Sequence, residues 1–214
     1  NVNGNLPPSA MDPFVIAVRP GIYEEAVNFQ PYVNVVGLPS ADAVLGDDTN
    51  GDRSVILRTP TAGALTHTVT VPTASDYVLV KGLLFENKKV TTNAVVRKTG
   101  EGTASFLDCR VVQMSNDPSD GACLAVDQGN FFGERLYLQN LNTEPTAEAL
   151  QVNPALANTA TALFQDSRMV GSSVATLNNQ LAPGVAVKFL RTSMVSTSIS
   201  PLAQALAAGV EGRF

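Results

Sequence analysis

The chain has 214 residues, 44% of them hydrophobic and 15% charged, with a formal net charge of −5 and a pI near 4.8. This length suits one domain with a sizeable core, and so little charge excludes a disordered chain. No Lys/Arg-rich run is present to neutralise phosphates and no stretch approaches the ~20 apolar residues that span a bilayer, so neither a nucleic-acid partner nor a membrane span is expected.

The first thirteen residues, NVNGNLPPSAMDP, are polar and Pro-rich and do not form a secretory signal. With no initiator Met, the chain is expected to be part of a larger or processed protein. FVIAVR (14–19) reads as a strand ending in the turn signal Pro20-Gly21. YVNVVG (32–37) is a second strand, followed by the polar loop GDDTNGD (46–52) and the strand RSVILRT (53–59). LTHTVTV (65–71) alternates as a half-buried strand does, as do YVLVKGLLFEN (77–87) and VAVKFL (185–190). Residues 116–121, Asn-Asp-Pro-Ser-Asp-Gly, form another polar loop. Residues 142–158, with their Ala- and Glu-bearing stretch, read as an inserted loop. At the C-terminus Ser200 is a candidate N-cap, Pro201 fits the first helical position, and Leu202 and Leu206 share a face, which predicts a short helix over 201–208.

Five segments resemble one another: VKGLLFEN around Leu83, FLDCRVVQM around Cys109, GERLYLQNL around Leu136, FQDSRMVGS around Ser167 and LRTSMVSTS around Ser193. Their spacings are 26, 27, 31 and 26 residues, and stepping back 48 residues from Leu83 reaches Val35, with RSVILRT near Ile56 supplying the rung between. Repeats of this size, built of short apolar strands and polar turns, are the signature of a solenoid. The chain therefore reads as an all-β, right-handed parallel β-helix of about six to seven rungs with a C-terminal capping helix. It forms one domain over 1–214, with rungs over 13–200 and the cap over 201–208. The expected core is a stack of Val35, Ile56, Leu83, Phe106, Leu124, Leu136, Phe164 and Val187.

FVIAVRPGIYEEAVNFQPYVNVVG (14–37) resembles the opening of the pectin methylesterases and related pectin-lyase-like β-helix proteins. In that family a strand leads into a Pro-Gly-x-Tyr-x-Glu turn, a second strand and a Val-x-x-x-Gly turn. GDDTNGDRSVIL and YVLVKGLLFEN continue the likeness, which covers about residues 14–114. It implies the fold; activity is a separate matter. The esterases use two aspartates, one a nucleophile and one a general acid/base, with glutamines stabilising the oxyanion and an arginine steadying the nucleophile. Carried onto this chain, the resemblance places Asp120 at a glutamine position, Thr143 at the acid/base aspartate and Val174 at the nucleophile. The Gly-Arg-Pro-Trp motif has no counterpart. Both catalytic carboxylates are thus expected to be missing, and no catalytic residue is assigned.

Other candidates read as structural. His67, the only histidine, has no neighbouring ligand type and no Gly-x-Ser-x-Gly elbow to serve. GDDTNGD fits a calcium loop at Asp48, Asn50 and Gly51, but Gly46 and Leu57 stand where carboxylates belong, so a plain turn is expected. Cys109 and Cys123 are expected to be buried free thiols. Asn34, Asn87, Asn116 and Asn140 end several strands and suggest an Asn ladder. No phosphate loop, Rossmann fingerprint or zinc spacing occurs, so no cofactor or metal is expected.

The expected role is a non-catalytic structural or surface-attachment module, set at a virion or capsid surface or outside the cell, with other subunits of a larger assembly as partners. An alternative is a carbohydrate esterase or lyase acting on a pectin-like polysaccharide. It requires Asp108, Asp120 and Asp166 to converge in a groove beside Arg110 or Arg168. A third reading is a sugar-binding protein without turnover, with Tyr77 and Tyr137 as stacking platforms.

Overall fold

The computed structural model describes residues 7–38, 55–59, 68–71, 77–87, 94–114, 121–144, 147–154, 158–177, 184–197 and 203–205. Strands β1 (Phe14–Val18), β2 (Gly21–Glu24) and β3 (Val27–Asn28) open the fold. They are followed by β4 (Val33–Gly37), β5 (Val55–Arg58), β6 (Val69–Val71), β7 (Tyr77–Lys81), β8 (Leu84–Asn87) and β9 (Ala94–Lys98). Next come β10 (Thr103–Leu107), β11 (Arg110–Gln113), β12 (Ala122–Val126), β13 (Gly129–Glu134), β14 (Tyr137–Asn140) and β15 (Glu148–Val152). The last are β16 (Thr159–Gln165), β17 (Arg168–Gly171), β18 (Ser173–Leu177), β19 (Gly184–Leu190), β20 (Ser193–Ser196) and β21 (Ala203–Ala205).

Every third strand returns to the same sheet. The first sheet runs β1-β4-β7-β10-β13-β16-β19, the second β2-β5-β8-β11-β14-β17-β20 and the third β3-β6-β9-β12-β15-β18-β21. All pairings are parallel, so the chain is an all-β parallel solenoid.

The interior is filled by matching large residues to small ones. On the inner face of the first sheet, Ala104, Phe131 and Ala162 lie in register, and so do Phe106, Gly133 and Phe164. Phe131 thus projects over a small residue in the strand on either side, Gly133 separates Phe106 from Phe164, and Phe164 stacks on Phe189 in its own column. Phe106–Phe131, Phe131–Phe164 and Phe164–Phe189 centroids are 5.3, 5.7 and 5.6 Å apart. These separations suit aromatic contact. A Cβ at Gly133 would meet Leu136 at 2.9 Å and Phe164 at 3.0 Å, so that position has no room for a side chain.

All eight expected core residues are buried. Ile56, however, stands outside the central cluster that holds Val55 and Leu57. The series Val35, Ile56, Leu83 is corrected as well: Val35 pairs Val80 in the first sheet, and Ile56 pairs Leu84 in the second. β5 and β6 occupy the interval between Val35 and Val80 but belong to other sheets, so a near-even spacing imitated a missing repeat. Arg168 pairs Ser193, which makes Thr192, not Ser193, the counterpart of Ser167.

The stretch read as an inserted loop over 142–158 contains β15, paired to β12 and β18. The predicted helix over 201–208 is also corrected. Ala203–Ala205 form β21, in register with Ala175–Leu177, and the rest of that span lies outside the described residues. The free edge of β18 offers a ladder of backbone partners, and that pairing overrides the helix propensity of alanine.

Candidate functional site

Position by position, the turn from the first sheet to the second repeats one backbone shape. Gly82, Asp108, Arg135, Asp166 and Arg191 all have positive φ, at 69, 53, 49, 50 and 49°. Only Gly adopts this region without strain, so four non-glycine residues there must be held by their surroundings. Backbone bonds supply one restraint. Gly82 N donates to Leu107 O, Asp108 N to Glu134 O, Arg135 N to Gln165 O and Asp166 N to Leu190 O, each at 3.0 Å.

The side chains supply the second restraint, by alternating in charge along the axis. Arg135 Nε and Nη2 donate to the two Asp108 oxygens at 2.5 and 3.1 Å. Arg191 Nε and Nη2 donate to those of Asp166 at 2.5 and 2.8 Å. Arg135 also bonds Glu134. The Arg135 hydrogen bonds hold the Asp108 carboxyl below its usual range, and those of Arg191 do the same for Asp166. A second charge column lies on the second sheet, where Arg58 meets Glu24 at 3.6 Å and Glu86 at 2.9 Å.

Asp108 and Asp166 therefore share a column, as their matching sequence contexts suggested, but the turn bearing Arg135 separates them. Arg110 and Arg168 turn elsewhere: they lie over the Tyr137 ring from the two neighbouring strands, at 5.0 and 5.7 Å from its centroid. Arg110 Nη2 also donates to Gln139 at 2.9 Å. Guanidinium groups thus cover Tyr137, the favoured platform for sugar stacking, while Tyr77 is exposed at the start of β7. Asp120, His67 and the GDDTNGD loop lie outside the described residues.

Of the two catalytic aspartate positions carried over from the esterases, Thr143 is exposed in the turn after β14. Val174 is wholly buried in the core cluster, where a nucleophile would meet no substrate. The Asn column is real in part. Asn87, Gln113 and Asn140 lie in register and are buried, with Asn140 Nδ2 donating to Glu148 O at 2.8 Å. Asn34 sits apart in β4, accepting from Leu79 N at 3.2 Å, and Asn116 is outside the described residues.

Two ionisable groups were missed in the sequence. Glu148 on β15 is half-buried, and desolvation raises its carboxyl above the usual range against a hydrogen bond from Thr176. It stands alone: no group of three His, Cys, Asp or Glu able to hold a metal exists among the described residues. Lys98 is in register with Val71 and Val126 on the inner face of the third sheet and is 1% exposed. Its Nζ donates to Gly100 O, and to Gln128 O at 3.2 Å in the next turn.

Burial lowers the Lys98 ammonium from 10.5 to about 8. Below that pH the folded chain bears the full cost of a buried cation. The cost fades as pH rises from about 8 to 10.5, where the unfolded chain also loses its proton. Lys98→Met is therefore expected to stabilise the fold by about 1–2 kcal/mol near neutral pH, the two carbonyls left without a donor offsetting part of the gain. The gap between variant and wild type should close at high pH. Urea unfolding at both ends of that window checks it, and a variant destabilised at both would show that the carbonyl bonds outweigh the desolvation.

Cys109 and Cys123 are buried and unpaired, and desolvation pushes both thiols up to about 12. Since the thiolate is the reactive form, neither thiol should react with an aromatic disulfide reagent in the native chain. Both should react at once in denaturant, and a fast native phase in the absorbance trace would contradict their burial.

Searches against protein-family models, curated proteins and solved structures found no match to this chain. No helix among the described residues is long and apolar enough to cross a membrane.

Proposed function

We propose that this chain is a non-catalytic β-helix, right-handed and of six to seven rungs, that serves as a structural or surface-attachment module of a larger assembly. The observation carrying this reading is the fate of Asp108 and Asp166. Each is gripped by two nitrogens of an arginine from the following strand and held ionised. A general acid needs a raised pKa, and the ladder holds both carboxylates the other way, with both oxygens of each already bonded to an arginine. Their evident work is to pin a strained turn in successive strands.

The resemblance of residues 14–37 to the pectin-lyase-like proteins supports the handedness, and seven strands in every sheet support the rung count. A setting on a virion surface or outside the cell rests on analogy with rigid β-helical attachment proteins. The test is turnover. Purified chain, shown by circular dichroism to be folded β structure, is incubated with methyl-esterified pectin and with polygalacturonate. Methanol release and unsaturated products are then measured. Neither should rise above a blank, and turnover of either substrate would overturn the reading in favour of an esterase or lyase.

A further inference from the structure

Among the described residues the solenoid begins with an open end: β1, β2 and β3 are the outermost strands of their sheets, and no described strand lies beside their outer edges. Phe14 and Ile16 head the inner columns of the first sheet yet are 47% and 51% exposed, and Ile22 on β2 is 48% exposed. Behind them is a cavity of about 530 Å³, walled by Ile16, Val18, Tyr23, Val27, Phe29 and Leu57. Arg19 and Glu25 stand exposed on its rim. Free backbone edges around an apolar mouth call for another strand rather than for water.

We propose that a second copy of this chain closes this mouth, end to end about a two-fold axis, through antiparallel pairing of β2 with its counterpart. The sequence of that edge, RPGIYEE (19–25), is self-complementary, with a cation at one end and carboxylates at the other. A two-fold interface requires such self-complementarity. Side-chain parity then fixes the register. Tyr23 packs against the core while Ile22 and Glu24 face out, and pairing must keep inner faces together. Pairing centred on Ile22 meets this condition. It sets Ile22 against Ile22 of the second copy, the Tyr23 ring over Gly21, and Arg19 opposite Glu25, twice by symmetry. Pairing centred on Tyr23 would instead press two rings together on the inner face and set Ile22 against Glu24. Dimerisation at this end neither requires nor follows from the surface-attachment role.

Sedimentation velocity across the micromolar range tests this on four chains: wild type, Arg19→Glu, Glu25→Arg and the double swap. Both substituted positions are exposed, and circular dichroism checks that each chain is folded. Wild type is expected to sediment as a dimer. Either single change opposes like charges at two symmetric places and should weaken the dimer by about tenfold. The double swap should recover the wild-type affinity to within about threefold. A monomeric wild type, a dimer indifferent to the single changes, or open head-to-tail polymers would each overturn the inference.

Discussion

Phe131→Ala is expected to lower the unfolding free energy by about 3–5 kcal/mol, the range for removing a large buried ring. Phe131 is 2% exposed and stacks between Phe106 and Phe164. Its neighbours in register, Ala104 and Ala162, are too small to fill the vacated space. Gly133 leaves room for Phe164 on the adjacent column, so the rings cannot slide together without losing that fit. Phe132, one residue on, faces outward and is half-buried. Phe132→Ala should therefore cost only about 1 kcal/mol. Urea unfolding of the two variants separates the cases. Equal losses would mean that the alternation of β13, and with it the packing scheme, is wrong.

Gly129→Ala is expected to cost about 3 kcal/mol or more. Gly129 has φ +77°, which an alanine resists. An added Cβ would also lie 2.3 Å from Gly100 O and 2.5 Å from Glu101 O. These are backbone atoms of the turn below, so no rotamer change relieves the contact. Moving that turn would disturb the carbonyls of Gly100 and Gln128 that hold Lys98. Gly82 offers the contrast. It also has positive φ, but its column holds Asp and Arg in the same conformation, and the nearest atom to its Cβ is 3.3 Å away. Gly82→Asn should cost about 1 kcal/mol or less, since Asn tolerates this region. Thermal melts of both variants check the difference, and a similar melting loss at the two sites would contradict it.

The first and second sheets were legible in the sequence because their strands alternate and their connecting turn repeats. Matching FLDCRV to FQDSRM correctly placed Asp108 and Asp166 in one column. The partners of these aspartates were not legible, because Arg135 and Arg191 stand at the same turn position in repeats that carry Arg where the others carry Asp. The third sheet was harder to read for a physical reason. Its strands carry two consecutive core residues, Val95-Val96, Cys123-Leu124, Ala149-Leu150 and Val174-Ala175. The bridged registers skip one position in each. This bend breaks the period of two on which strand recognition depends. It hid β15 inside an apparent loop, and Glu148 with it. It also hid Lys98, whose charge suggests a surface position although it shares a face with Val96. β21 went unread because three residues drawn onto an existing edge carry almost no signal of their own.

If the carboxylates serve the scaffold, the ladder makes sense of their spacing. Asp and Arg alternate along the axis, each Arg reaching back to the Asp of the preceding strand, and the strained turns stay in place. An acid/base pair would need one carboxyl protonated near neutral pH. The most direct measurement is an NMR titration of the Asp108 and Asp166 carboxyl carbons in the folded chain. Both should titrate below the usual 3.8, because each is bonded to an arginine. A carboxyl that titrates above that value would mean the ladder does not hold it, and would contradict the structural account.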